Sequence, residues 1–295
     1  MTLEGNYRGF EVAMHDPGIA VLTMNDPDHL NGQNPPMKRD ITEFFLAAQM
    51  DNAIRVIVVT GSGRAFSAGD DMTGRRRDWD EREKLARTIQ WDGSSSIGTY
   101  AGLRTVSQQL NLAVRHLDKL TIAAINGVAI QTGLSLALAC DFRVAAESAR
   151  LGSATLRFAL QPDEGGHALV VQLIGLAKAM DFFMRKRILS AVEALEYGLV
   201  HEVVADDRLM DHTMELAREL ADGPQVAMRL LKRSLYNAAE TNLMQSFDDI
   251  ASKTGISDHH PDAAEGVSSF REKRPARFNR WLETQDAPKA PPPTG

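Results

Sequence analysis

Apolar runs of the β type alternate with amphipathic helical segments from the start of this chain to about Val204. Short runs rich in β-branched residues predict strands at Phe10–Met14, Ile19–Met24, Val56–Thr60, Thr121–Ile125, Phe142–Ala145 and Leu199–Val204. Helical periodicity predicts helices at Pro36–Met50, Tyr100–Leu117, Leu134–Cys140, His167–Ile174 and Ala191–Tyr197. This alternation is typical of an α/β fold in which right-handed crossovers connect the strands.

Beyond Asp206 the pattern changes, and it predicts helices only. They fall at Asp206–Ala221, Pro224–Ala239, Leu243–Lys253 and Pro261–Arg271. The last residues are too rich in proline to pack, and we expect them to be mobile. The pattern therefore divides the chain into an α/β core at residues 1–205, a helical region at 206–282 and a Pro-rich tail at 283–295.

The composition is that of an ordinary soluble enzyme, with 43% hydrophobic and 24% charged residues. A net charge of −6 argues against nucleic-acid binding but leaves room for a local basic pocket. A lone cysteine, Cys140, cannot form an intrachain disulfide, which suits a reducing compartment. No apolar run approaches the ~20 residues that span a membrane, and we expect no secretory signal, because the first residues show neither a basic region nor an apolar core. We expect a cytoplasmic protein that binds no membrane and no metal.

Two glycine-containing turns each follow a predicted strand. The first is Gly63–Asp71, and the second is Asn126–Gly133, which leads directly into a helical pattern. Two strand-to-turn junctions of this kind can direct backbone N–H groups into one cleft, and the second adds the positive end of a helix. Such a pair of donors is what an oxyanion hole requires.

These turns are similar to those of the crotonase (enoyl-CoA hydratase/isomerase) superfamily. The resemblance extends over roughly residues 8 to 280, through Asn25–Asn31 near the start and Glu265–Arg274 and Phe278 near the end. It implies a crotonase-like ββα spiral core with a C-terminal helical trimerisation region. It also implies an acyl-CoA thioester as substrate, with coenzyme A as part of that substrate and no separate cofactor.

The resemblance places the two oxyanion donors on Ala68 and Thr132, which adjoin Gly69 and Gly133. Hydratases of the superfamily hold a water with two glutamates, and their positions carry over to Ser135 and Thr155. A hydroxyl group titrates far above neutral pH and is no general base, which argues against hydration of this kind.

A different acidic pair occurs in Pro162-Asp163-Glu164-Gly165-Gly166. This pattern resembles the isomerase branches of the superfamily, and it places the proton-shuttling aspartate at Asp163. Asp163 could instead cap the helix that follows, because aspartate is a favoured N-cap residue. Glu164 is the alternative base, and His167 could also point into the cleft.

The resemblance also carries over residues that bind coenzyme A or the acyl group. They are His29, Asn31, Gly69, Asp70, Asp71, Met72, Gln131, Gly133, Ser135, Thr155 and Lys273. Asp71 is expected to fix its turn, and Lys273 and Arg274 to reach CoA phosphates of a neighbouring subunit or to form a solvated helix end. An inward-pointing Gln131 would offer its amide to a polar or ring-bearing acyl group. The Met72–Gly102 segment is expected to be a mobile lid or a solvated surface helix.

These observations leave three functions open. The first is an enoyl-CoA isomerase that uses Asp163, and the second is a hydratase or hydrolase whose water is held by Glu164 or His167. The third is a non-catalytic acyl-CoA binder. Apolar positions on the C-terminal helices exceed what a small core could cover, and they predict a homotrimer or a dimer of trimers. They are Val226, Leu230, Leu231, Leu235, Phe247 and Ile250.

Overall fold

The computed structural model describes residues 3–73 and 95–285. It forms two compact units, Met1–Ala217 and Arg218–Gly295, so the division falls after Ala217 rather than after residue 205. Most of the expected lid at Met72–Gly102 and nearly all of the Pro-rich tail lie outside the described residues.

The strands of the first unit form two sheets. They are β1 Gly5–Tyr7, β2 Phe10–His15, β3 Ile19–Met24, β4 Val56–Gly61, β5 Ala65–Ser67, β6 Leu120–Ile125, β7 Val128–Ile130, β8 Phe142–Ala146, β9 Arg150–Gly152, β10 Ile188–Ser190 and β11 Glu202–Val204. The larger sheet has the order β1-β2-β3-β4-β6-β8-β11 and is parallel from β3 onwards. The smaller sheet has the order β10-β9-β7-β5.

The helices account for most of the remaining described residues. They are α1 Pro35–Met50, α2 Ser96–Gly102, α3 Gln108–Arg115, α4 Thr132–Ala139, α5 Gly166–Met184, α6 Ala191–Tyr197, α7 Leu209–Asp222, α8 Gln225–Ala238, α9 Leu243–Ser257, α10 Pro261–Glu272 and α11 Arg280–Gln285. A π-helical turn at Leu103–Ser107 joins α2 to α3. Helix α1 begins where the Asn34 side chain accepts a hydrogen bond from the amide of Met37 at 3.1 Å, a favoured N-cap arrangement.

The centre of the larger sheet is buried on both faces. Strands β3, β4 and β6 are almost wholly buried, which explains why they are near-continuous apolar runs rather than alternating ones. Helices α1, α3 and α4 pack in succession beside this sheet. Phe44 and Phe45 of α1 are fully buried within the resulting core.

The smaller sheet sets the geometry of the two glycine turns. Strands β5 and β7 are parallel and only three residues long. A side chain at Gly127 would overlap the carbonyl oxygen of Arg64, so the two strands approach as closely as glycine permits. Because the ends of neighbouring parallel strands meet at one edge of a sheet, the segments after Ser67 and Ile130 emerge side by side.

Helix α5 is longer than its sequence pattern predicts. By length and composition alone it could cross a membrane, and 22% of the window that meets this test is buried. Its backbone leaves the helical region at Gly175, where φ is 75° and ψ is 164°. The element therefore consists of two shorter helical parts, each well below the ~20 residues of a spanning helix.

Candidate active site

The amide of Ala68 is not an oxyanion donor. It donates to the carbonyl oxygen of Leu30 at 2.9 Å, within the pairing that holds this turn in place. An N–H group that already has a protein acceptor is not free to bind a thioester oxygen. The role predicted for Ala68 is therefore wrong.

The backbone around Asp70, two residues further along this turn, is held by Gln33. Gln33 pairs with Asp70 in a parallel bridge, donating to the carbonyl oxygen of Gly69 at 2.8 Å and accepting from the amide of Asp71 at 2.9 Å. In such a bridge the N–H of the central residue points to the opposite side of the strand. Asp70 also lines a cavity there, and its N–H has no acceptor among the described residues.

The second turn places Ile130 and Gln131 on the lining of the same cavity, and the buried Thr132 follows them. Thr132 is the first residue of α4, and first-turn N–H groups have no acceptor within their helix. Gln131, which precedes it, adopts φ 54° and ψ −117°, a conformation that side chains rarely tolerate. A Cβ atom at Gly69 would lie 2.9 Å from both Gln131 Cβ and Ile130 O. The turns that carry Asp70 and Thr132 are thus in direct contact.

The cavity is lined by both polar and apolar side chains. Its lining consists of Ala68, Asp70, Met72, Ile130, Gln131, Ala154, Thr155, Phe158, Leu160, Gln161 and Asp163. Met72, Phe158 and Leu160 are exposed apolar side chains, as a site for an acyl group requires. Within residues 3–73 and 95–285, no group of three or more His, Cys, Asp or Glu side chains could hold a metal ion.

Asp163 is the half-buried carboxylate of this cavity. Its backbone is fixed from α3, where the Gln108 side chain donates to the Asp163 carbonyl oxygen at 3.0 Å. Burial raises the pKa of Asp163, outweighing a hydrogen bond from its own backbone. Helix α5 has Gly165 as its N-cap residue and no side-chain cap among the described residues, so the capping role considered for Asp163 is wrong.

Glu164 lies beneath the Thr132 turn and not on the cavity wall. Its carboxyl group accepts from Gln131 Nε2 at 3.1 and 3.3 Å, and its Oε1 atom lies 2.5 Å from Thr132 Oγ1. Burial raises the pKa of Glu164 more than the hydrogen bond from Thr132 lowers it. A buried, already bonded carboxyl group is poorly placed to take a proton from a substrate.

Gln131 points inward, as one expectation required, but its amide is engaged at both ends. While Nε2 donates to Glu164, Oε1 accepts from Ser153 Oγ at 3.3 Å. The predicted offer of this amide to a polar acyl group is therefore not supported. The Gln131 side chain instead stabilises its own turn, in which the Gln131 backbone is strained.

Of the two positions at which hydratases have glutamates, Thr155 lies on the cavity lining and Ser135 does not. Thr155 lines the cavity, with its Oγ1 atom 3.2 Å from Ser153 Oγ. Ser135 is buried in α4, where a side chain at Gly166 would overlap its Oγ atom. His167 is exposed, and its Nδ1 atom lies 3.0 Å from the carbonyl oxygen of Pro162. The cavity lining includes neither Ser135 nor His167.

Asn31 supports the fold rather than presenting its side chain to a ligand. It is fully buried, and its Nδ2 atom donates to the carbonyl oxygens of Ser62 and Ala65 at 2.9 and 2.7 Å. Its Oδ1 atom accepts from the amide of Asp26 at 2.9 Å. These bonds use the donors of the side chain and fix the turn, whose backbone is predicted to bind coenzyme A. His29, on the same turn, keeps a partly exposed ring.

Asp71 bonds within its own turn, where its Oδ1 atom accepts from both the amide and the hydroxyl group of Thr73, at 3.1 and 2.6 Å. In the second unit, Lys273 ends α10 with φ 55° and an exposed side chain. Arg274 forms ion pairs of 2.6 Å with Glu265 and with Glu272.

Lys38 is a site residue that the sequence analysis missed. Its side chain is buried, and Nζ lies 2.6 Å from Asp70 Oδ1 and 2.9 Å from Ser107 Oγ. A lysine three positions before Ile41, on the apolar face of a predicted helix, was the available signal. A buried ammonium group needs polar or charged partners, which are Asp70 and Ser107 here.

Comparison with known proteins identifies the family of this chain. The family model described as enoyl-CoA hydratase/isomerase matches residues 15–281. The chain belongs to this family. It is 34% identical over 267 residues, 89% of this chain and 95% of the relative, to a 1,2-epoxyphenylacetyl-CoA isomerase of Escherichia coli. It is also 28% identical, over 88% of this chain and 94% of the relative, to a crotonyl-CoA hydratase of Syntrophomonas wolfei.

Solved structures agree with this assignment. An enoyl-CoA hydratase from Bacillus anthracis superimposes with a TM-score of 0.82 and 29% identity, covering 92% of this chain and 99% of that one. The crotonase fold expected from the sequence is thereby confirmed. The relatives of this enoyl-CoA hydratase/isomerase family member include both isomerases and hydratases.

Proposed function

We propose that this enzyme is an isomerase that moves a double bond along the acyl chain of a CoA thioester. Asp163 supports the proposal, since it is a carboxylate on the wall of the cavity that the Asp70 and Thr132 turns border. Its raised pKa suits a general base more than an ordinary aspartate pKa would. Coenzyme A enters as part of the substrate, and the proposed steps need no other cofactor.

In the proposed reaction, Asp163 takes a proton from the α or γ carbon of the acyl group. The electrons of that C–H bond move towards the thioester carbonyl, whose oxygen becomes an enolate held by the N–H groups of Asp70 and Thr132. Each such donor is worth on the order of 2.7–4 kcal/mol of transition-state stabilisation. Asp163 then returns the proton to the other carbon, which completes the shift and restores its carboxylate.

Hydration would need a water molecule and a base to activate it. Of the two positions at which hydratases of this family have glutamates, one is Thr155 and the other is Ser135, buried against Gly166. Neither hydroxyl group can act as a base at neutral pH. Glu164 and His167, the alternative holders of a water, lie off the cavity lining. These placements favour isomerisation over hydration.

The decisive experiment follows turnover of 3-enoyl-CoA thioesters in ¹⁸O-labelled water. We expect the double bond to migrate into conjugation with the thioester, with no solvent oxygen in the product. Incorporation of one ¹⁸O atom into the product would make hydration or hydrolysis the reaction instead. Tight binding of acyl-CoA without any exchange of α protons in deuterated solvent would identify a non-catalytic binder. NMR and mass spectrometry read out all three outcomes.

The same experiment can address the acyl group. We propose a ring-bearing acyl chain, because the lining of the cavity includes Phe158 together with Met72 and Leu160. The relative named 1,2-epoxyphenylacetyl-CoA isomerase supports this choice. In a panel of 3-enoyl-CoA thioesters, the ring-bearing substrates should then have a higher kcat/KM than the short linear ones. A reversed order would contradict the proposal.

We further propose that the protein is a trimer or a dimer of trimers. Within the second unit, Leu231, Leu235 and Phe247 are at least half exposed, at 50%, 63% and 55%. Large apolar side chains grouped on helices α8 and α9 indicate an interaction surface. Light scattering at micromolar concentration should give three or six times the chain mass of 32.4 kDa. A monomer would contradict the proposal and would also remove the cross-subunit role of Lys273.

A further inference from the structure

A continuous chain of polar contacts links the two turns of the cavity. Lys38 Nζ lies 2.6 Å from Asp70 Oδ1, and the same oxygen lies 2.7 Å from Thr132 Oγ1. Thr132 Oγ1 is in turn 2.5 Å from Glu164 Oε1, which accepts from Gln131 Nε2 at 3.1 Å. Asp70 and Thr132, whose amides are the proposed donors, are therefore joined to each other by their own side chains.

The number of hydrogens constrains this chain. The hydroxyl group of Thr132 has one hydrogen but lies between two carboxyl oxygens. If Glu164 keeps its proton, its O–H donates to Thr132 and the Thr132 O–H donates to Asp70. Asp70, as a carboxylate, then accepts from both Thr132 and Lys38. Every contact has one donor and one acceptor in this arrangement.

Lys38 holds Asp70, the exposed end of this series of polar contacts. The Asp70 side chain is 43% exposed, whereas that of Lys38 is only 4% exposed. A buried ammonium group needs a charged partner, and removing one member of such a pair leaves the other uncompensated. The ion pair therefore ties a half-exposed carboxylate to the rigid helix α1, on the side of the cavity where the amide of Asp70 lies.

We propose that Lys38 is a positioning residue that fixes the spacing of the Asp70 and Thr132 amides by holding the Asp70 carboxylate against Thr132. The inference rests on the proposed function, because that function gives the two amides their role. It goes further because it assigns control of the spacing between the two amides to Lys38, a residue outside the cavity lining. Lys38 acts through Asp70 and does not itself contact substrate.

The test compares Lys38→Met with Arg39→Met. Methionine keeps the apolar stem but loses the ammonium group. Arg39 is the next cation on α1, and its contacts are to the carbonyl oxygen of Thr105 and to Glu43. In hydrogen exchange of the full-length protein, we expect Lys38→Met to speed exchange about tenfold or more in peptides covering 66–72 and 128–135, because local opening becomes easier. Arg39→Met should leave both peptides unchanged.

Kinetics supply the readout that a purely structural role would not move. We expect Lys38→Met to lower kcat by about 10- to 100-fold with little change in KM, because misplaced groups weaken mainly the transition state. Thr132→Val, which keeps the amide but loses the hydroxyl group, should show the same split and serves if Lys38→Met does not fold.

The outcomes separate the inference from the proposed function. Equal exchange in Lys38→Met and Arg39→Met, or an unchanged kcat in Lys38→Met, would overturn the role of Lys38. A wild-type protein without turnover on any thioester would overturn the proposed function. The exchange data alone would then decide whether Lys38 fixes the two turns.

Discussion

Replacing Asp163 by asparagine is expected to lower kcat for double-bond migration by about 10²- to 10⁴-fold, the usual contribution of a general base. Asparagine has almost the same shape but cannot accept the proton at neutral pH. The backbone of this turn is held by Gln108, so the fold should be retained. KM should change little, because the carboxylate acts mainly in the transition state. Steady-state kinetics together with a thermal melt provide the measurement.

Glu164→Gln is the matched control for this substitution. Glutamine resembles the protonated form of Glu164, and it keeps an oxygen that can accept from Gln131. We expect a loss of about tenfold or less, since a positioning contact is altered but the proposed base is intact. A larger loss in Glu164→Gln than in Asp163→Asn would show that Glu164 is the base. Full activity of Asp163→Asn would exclude Asp163 as the base.

The pH profile gives an independent check on Asp163. Its pKa is raised above the ordinary value of 3.8, and a base must be ionised to act. The wild-type kcat should therefore fall as the pH is lowered through that raised pKa, and Asp163→Asn should lack this limb. The free energy of unfolding should depend on pH in the opposite direction. The folded state binds protons at Asp163 and Glu164 more readily than the unfolded state does, so their contribution to the free energy of unfolding rises as pH falls through the raised values.

The central fold follows from the sequence because its signals are local. Strands β3, β4 and β6 are long, buried, apolar runs, and helix α6 falls at Ala191–Tyr197 as its pattern predicts. The strands of the smaller sheet have three residues each, too few for a period to develop. They exist because tertiary packing pairs them, and this pairing places the two turns side by side.

The site could be predicted only where one segment decides its geometry. Thr132 lies at a helix N-terminus, and the Gly133-containing turn makes that visible in the sequence. Which amide of the first turn is free depends instead on pairing with Gln33, more than thirty positions away. The prediction therefore chose Ala68, whose amide is paired with Leu30, and not Asp70, whose amide we propose as the donor. Lys38 was missed for the same reason, since its partner lies on a different element.

Replacing Gly133 by alanine is expected to disrupt the site strongly. Gly133 is the second residue of α4, and an added Cβ would overlap the carbonyl oxygen of Ser67 and lie 2.7 Å from Ser67 Cβ. Backbone atoms of β5 cannot move aside as a flexible side chain can, so helix and strand must separate. Overpacking of this kind costs about 1–3 kcal/mol in the free energy of unfolding. Denaturant unfolding measures this loss.

The activity of Gly133→Ala should fall further than its stability suggests. Thr132 is the adjacent residue, so separating α4 from β5 moves its amide relative to that of Asp70, and a shift of about 1 Å can cost 10²-fold in rate. Gly255→Ala is the matched control, because Gly255 lies in helix α9 with no atom within 4 Å of an added Cβ. That change should keep kcat and raise helix stability by up to ~1 kcal/mol. If Gly133→Ala and Gly255→Ala had the same kcat and the same free energy of unfolding, the prediction would be wrong. The close contact between α4 and β5 would then not determine the position of the Thr132 amide.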